Sequence, residues 1–282
     1  MLEAAKRLLK ERYNECRRKV GDKGYFAHFA DEKLHHSMQV FGLGKYIYKH
    51  EFLNKTAEFK GIALTSVLLH DIGRFKEFEE LFKRSEGGGH NVKYDHSQLG
   101  YEMLKDMPEF NDVRIILPIK HHGHLLEDFY SDEEYKSIED DALKNEVEEI
   151  LFLVRDADKM ANMYFFVDAK DILDTMLYKI DVAPLSDEMK KAPISEKVFS
   201  GFMAETVINN RYAVSAPDQA MRFLAWLFDI NYRTSYDYFE KHKLLKKYIA
   251  FLRYYQIGEN DSFIIEKKIK EYITKRYEQL KG

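Results

Sequence analysis

Apolar positions along the chain recur at three- and four-residue steps, and strand-type alternation is weak. Leu2, Ala5, Leu8, Leu9, Tyr13 and Cys16 mark one face of a helix over residues 1–19. Asp31 is placed as the N-cap of a second helix, because residues 32–50 run on without a breaker. A third, strongly apolar helix covers 57–70. The pattern predicts further helices over 95–107, stopping before Pro108, over 111–122, with Pro118 as an irregularity, and over 142–166. The stretch "SEGGGHNVKYD" at 85–95 holds three consecutive glycines and reads as a loop. "APLSDEMKKAPIS" holds Pro184 and Pro193 and reads as a linker; residues 195–281 are helical again and rich in tyrosine and phenylalanine. The fold class is all-α: a helical bundle over 1–180, with an extension over 181–282 that packs on it.

Composition narrows the function classes. Of the 282 residues, 45% are apolar and 14% aromatic, enough to build a core and to exclude wholesale disorder. The net charge is −4, and no Lys/Arg block forms a basic stripe, so a nucleic acid duplex is not the expected partner. A lone cysteine, Cys16, forms no internal disulfide, which suits a reducing compartment. The N-terminal "MLEAAKRLLKERYNECRRKV" is charged throughout, and no run approaches the roughly 18 apolar residues of a membrane span. The expected location is cytoplasmic, with no membrane association.

The histidines change the picture. Ten of the eleven lie between positions 28 and 124, and imidazole is the commonest metal-binding side chain. The apolar run Val67, Leu68, Leu69 ends in His70 and Asp71, two groups that a core does not want. "HHSMQV" at 35–40, "DHSQLGYEML" at 95–104, "KHHGH" at 120–124 and "VRDADKMANM" at 154–163 add histidines and acids near helix ends or on apolar helices. Singly, each has an ordinary structural reading as a cap or a surface pair. Together, these segments would bury several imidazoles and carboxylates at a cost of several kcal/mol per unpaired charge. One shared metal ion would compensate all of them.

His36 followed by Ser37 and Val40, the doublet His70-Asp71 with "IGRF" after it, and Asp158 in "ADKM" come in an order that resembles the HD-domain superfamily of metal-dependent phosphohydrolases. The resemblance covers residues 30–166. It implies metal ligation by His36, His70, Asp71 and Asp158, with Asp156 the weaker candidate for the last position. His96, with Gly100 one turn on leaving room for a ligand, and His121 resemble the extra histidines of the two-metal branches. They would give six protein ligands, enough for two ions bridged by Asp71. The Gly-Tyr-Pro motif of the cyclic-dinucleotide phosphodiesterase branch is missing, so that substrate is not carried over.

The resemblance implies one or two divalent transition ions, Fe, Mn, Zn, Ni or Co, since imidazole and carboxylate suit them and no thiolate is near. It implies hydrolysis of a small phosphorylated substrate, a nucleotide first among them. Catalytic roles then fall to Asp71, Arg74 and His122, and substrate contacts to Arg74, Lys120, His122, His124 and Lys159. "SEGGGHN" is a candidate cover for the pocket. Two other readings share the ligand set: a di-iron oxygenase and a non-catalytic nucleotide-binding module. The aromatic C-terminal part is read as core plus a packing surface that could serve a homodimer.

Overall fold

A computed structural model describes residues 1–22, 24–86, 94–168 and 192–280. All regular elements among them are helical. No helix among the described residues is long and apolar enough to cross a membrane. The chain divides into two units, Met1–Asp158 and Lys159–Gly282. The expected boundary at 180/181 and most of the expected linker lie outside the described residues, as does most of "SEGGGHN".

The first unit is a helical bundle. Helix α1 (Leu2–Val20) packs on α2 (Tyr25–Glu51), α3 (Ala57–Leu69) and α4 (Gly73–Glu86). Helix α5 (His96–Lys105) packs between α4 and α6 (Val113–His121), and α6 returns against α3. Short α7 (Leu126–Ser131) and α8 (Glu133–Lys136) lead to the long α9 (Asp141–Asp168).

Local chemistry sets the helix ends. The hydroxyl of Thr56 accepts from the Phe59 amide at 3.1 Å to start α3. Asp95 caps α5 through the amides of Ser97 and Gln98 at 2.9 and 3.3 Å. Asp112 caps α6 through the Arg114 amide at 2.9 Å. Asp31 does not cap α2, which begins six residues earlier at Tyr25. Its carboxylate faces α1 instead, accepting from the Tyr13 hydroxyl at 2.8 Å and lying 3.2 Å from Arg17 Nε. Helix α4 is not among the expected elements. Phe75 and Phe78 are buried on it, one turn apart, as an amphipathic helix requires.

Pro118 lies inside α6. Its ring nitrogen cannot donate to the Arg114 carbonyl, the acceptor one turn back. Ser66, buried on α3, donates its hydroxyl to that carbonyl at 3.0 Å. The irregularity in α6 thus becomes a tie between the two helices that carry much of the site.

The second unit has an aromatic core of its own. Phe166 lies 4.7 Å from Phe223, 5.7 Å from Tyr248 and 5.0 Å from Phe251, centroid to centroid. The buried Tyr248 hydroxyl donates to the Met163 carbonyl at 3.1 Å. Phe166, Phe223 and Tyr248 are buried core, and the half-buried Phe251 flanks them.

Candidate metal centre

His36 comes from the interior of α2, His70 and Asp71 from the end of α3, His96 from the start of α5, His122 from the end of α6 and Asp158 from the interior of α9. Asp71 is at the centre, its side chain 4% exposed. Its Oδ2 lies 3.7 Å from His36 Nε2 and 3.6 Å from His70 Nε2. Its Oδ1 lies 3.2 Å from His96 Nε2 and 3.6 Å from His122 Nε2. One carboxylate therefore divides its two oxygens between two pairs of imidazoles. Asp158 Oδ1 closes the first pair, 2.9 Å from His36 Nε2 and 3.6 Å from His70 Nε2. The ligand atoms of His36, His70 and Asp71, and those of Asp71, His96 and His122, fall within 4.8 Å of one another.

Backbone carbonyls aim two of the rings. His70 Nδ1 lies 2.9 Å from the Val67 carbonyl, and His122 Nδ1 lies 2.7 Å from the Ile119 carbonyl. A carbonyl only accepts, so each Nδ1 carries the proton and each Nε2 presents its lone pair to the cluster. Both rings reach back three residues at a helix end, so the termination of α3 and of α6 builds the site.

Charge in the cluster is uneven. Burial lowers the pKa of His36, helped by the Lys33 ammonium. Burial and the Arg74 charge push His96 down to about 3. These two rings are neutral near pH 7, the form that binds a metal. Burial opposes the charge of Asp71 and Asp158, yet Lys33 and His70 at Asp71, and His36 and His70 at Asp158, outweigh it and hold both carboxyls well below the usual range. Burial opposes a proton on His70 as well, but Asp71 and Asp158 win and raise its pKa.

The residues fit a metal ion on one observation above all. His70 Nε2 is buried and has no hydrogen-bond partner, although it faces two carboxylate oxygens at 3.6 Å. Two anions around an imidazole nitrogen call for positive charge among them, either the proton that the raised pKa of His70 favours or a metal ion. The donor set of imidazole and carboxylate suits a divalent transition ion in each half.

Residues 34–163 match the family model described as HD domain. The chain carries an HD domain. No curated protein and no solved structure matches the chain.

Within this HD domain the structure brings together His36, His70, Asp71, His96 and Asp158. His121 stands apart from them. It continues the face of α6 marked by Val113 and Leu117, which packs with Phe129 and Tyr135, and its Nε2 lies 2.8 Å from Asp132 Oδ2. The position beside His96 is taken by His122, on the face of Ile115 and Ile119. Of the two candidate acids on α9, Asp156 and Asp158, it is Asp158 whose carboxylate is seen against His36 and His70. Gly100 does not make room for a ligand: a side chain there would meet Ile119 Cγ2 at 3.1 Å and Ile72 Cγ2 at 3.4 Å.

Arg74 stands at the edge of the cluster, its Nε 3.5 Å from Asp71 Oδ1 and its Nη1 2.7 Å from Glu77 Oε2. Lys120, His124 and Lys159 are held by carboxylates outside the cluster: Asp132 at 2.6 Å, Asp95 at 2.9 Å and Asp229 at 2.8 Å, respectively. A cation absent from the expected set takes their place. Lys33, one turn before His36 on α2, reaches Asp71 Oδ2 at 2.9 Å. The three-residue spacing to His36 was its signal, since such residues share a helix face.

Proposed function

We propose that this HD domain is a metal-dependent phosphohydrolase acting on a small phosphorylated substrate, with nucleotides first in line. The observation that carries the reading is the division of Asp71 between His36 with His70 and His96 with His122, with two cations at its edge. The six groups His36, His70, Asp71, His96, His122 and Asp158 would hold one or two ions. Bound there, a divalent ion supplies Lewis acidity and a water that is nucleophilic near neutral pH.

The chain's own residues account for the rest. The Val67 and Ile119 carbonyls fix the rings of His70 and His122, so little reorganisation is needed when substrate arrives. Lys33 and Arg74 bring positive charge to the same carboxylate, which favours an anionic substrate over a neutral organic one. Arg74 offers a planar fork that matches phosphate oxygens in a way lysine cannot. The oxygenase alternative uses the same ligand types, and the two cations weigh against it.

The test starts with elemental analysis of tag-free protein, where one or two equivalents of a transition metal are expected. The metal-loaded protein is then assayed on nucleotides and phosphomonoesters for release of phosphate or nucleoside. Asp71→Ala is expected to abolish turnover, and Arg74→Lys to weaken it with metal content kept. Uptake of no metal, or oxygen consumption with an organic substrate and no hydrolysis across the panel, overturns the reading.

A further inference from the structure

Helix α6 ends at His121, so the carbonyls of its last turn lack the full set of amide partners that a continuing helix supplies. The chain turns at once through Gly123, with the His124 amide 3.2 Å from the His121 carbonyl. This turn carries His122, and it is held from outside. The buried Arg155 Nη1 lies 3.1 Å from the His121 carbonyl, 3.2 Å from the His122 carbonyl and 2.5 Å from the His124 carbonyl. A guanidinium nitrogen has two hydrogens, so it cannot satisfy three acceptors fully, but its charge draws all three inward. The C-terminal end of a helix dipole adds to that attraction.

Arg155 sits on α9 one turn before Asp158, on the same face. A single helix thus supplies a carboxylate to the His36 and His70 half of the centre and a clamp on the backbone behind the His122 half. The His122 ring is fixed by the Ile119 carbonyl, but the position of its Cα depends on the turn that Arg155 gathers. Ligand atoms must be held to within about 0.5 Å for a site to work. An unclamped turn would leave His122 free to drift by more than that.

We infer that Arg155 is a positioning residue that sets the spacing between the two halves of the centre, acting on the His122 half through three backbone carbonyls. This rests on the metal reading given above for its consequence, and on the backbone geometry alone for its mechanism. The mechanism predicts an asymmetry that a general loss of stability does not: the His96 and His122 half should loosen while the His36 and His70 half stays.

The experiment compares wild type with Arg155→Met, which keeps length and packing, and Arg155→Lys, which keeps the charge without the fork. The first readout is amide hydrogen exchange in metal-free protein. Arg155→Met is expected to speed exchange over residues 121–124 and leave 66–71 unchanged, with Arg155→Lys between it and wild type. The second readout is cobalt titration. The weaker of two binding steps should fall 10–100-fold in Arg155→Met, the range seen when a group that orients a ligand is lost, and recover in part in Arg155→Lys. Unchanged exchange at 121–124, or equal loss in both binding steps, overturns the inference. A wild type that takes up no cobalt instead overturns the metal reading, while the exchange comparison still decides whether Arg155 holds the turn.

Discussion

Lys33 and Asp71 make a close charge pair at the centre, 2.9 Å apart. An anion bound beside Asp71 would therefore meet the Lys33 ammonium. Charged hydrogen bonds of this kind contribute about 1.5–3 kcal/mol. Lys33→Met is therefore expected to lower kcat/KM for a phosphorylated substrate by about 10–100-fold, mainly through KM, with metal content kept. Loss of metal in step with activity would show instead that Lys33 serves the ligands. Cys16 illustrates the opposite case, a reactive group made inert by its surroundings. It is fully buried, and burial together with the Glu79 charge pushes its thiol up to about 12. Native protein at pH 8 should resist alkylation, and protein in denaturant should label fully. A folded pKa above the unfolded value of about 8.5 favours the native thiol form. That contribution is whole below about pH 8.5 and is lost as pH rises toward 12.

At the scale of the element, the tie between Ser66 and α6 invites a double substitution. Ser66→Ala leaves the Arg114 carbonyl without its partner inside the bundle, at a cost of about 1–3 kcal/mol. Pro118→Ala restores an amide one turn from that same carbonyl. The double variant should therefore be more stable than Ser66→Ala alone, as read by chemical denaturation; additive losses would mean that the hydroxyl matters for some other contact. The same helix shows what a sequence can and cannot reveal. The cluster residues His36, His70, Asp71 and Asp158 were legible because their helices are long, or because the doublet sits at an abrupt change from apolar to polar. His121 and His122 were not separable, since neighbours on a helix point about 100° apart and "IILPI" is apolar on every side. Only the packing of Leu117 against Phe129, opposite that of Ile119 toward Gly100, sets the phase. Asp31 misled for a related reason. An N-cap residue type looks the same in sequence when its carboxylate is taken by Tyr13 and Arg17 of another helix. Gly73, by contrast, has a plain structural reason within "IGRF": a side chain there would stand 2.0 Å from the His96 carbonyl oxygen. The glycine lets α4 start against α5, and that contact brings His96 to Asp71.

At the scale of the whole molecule, the centre draws on five helices of the first unit, α2, α3, α5, α6 and α9. Folding must therefore bring together two carboxylates and four imidazoles that repel or desolvate one another, and part of the stability of the metal-free protein is spent holding them. An ion that binds the folded chain and not the unfolded one offsets this by mass action, about 2.7 kcal/mol at a hundredfold excess over its dissociation constant. For a chain of this size that corresponds to a rise of about 5–10 °C in the melting midpoint. Metal-loaded wild type should show that rise over chelator-treated protein by circular dichroism. Asp71→Asn should lose most of the increment, because the residue that faces both pairs of imidazoles then offers a neutral amide. Each protein is compared with its own metal-free form, so any change that the substitution makes to the metal-free fold cancels. An equal rise in wild type and variant would place the ion elsewhere on the chain and remove Asp71 from the centre.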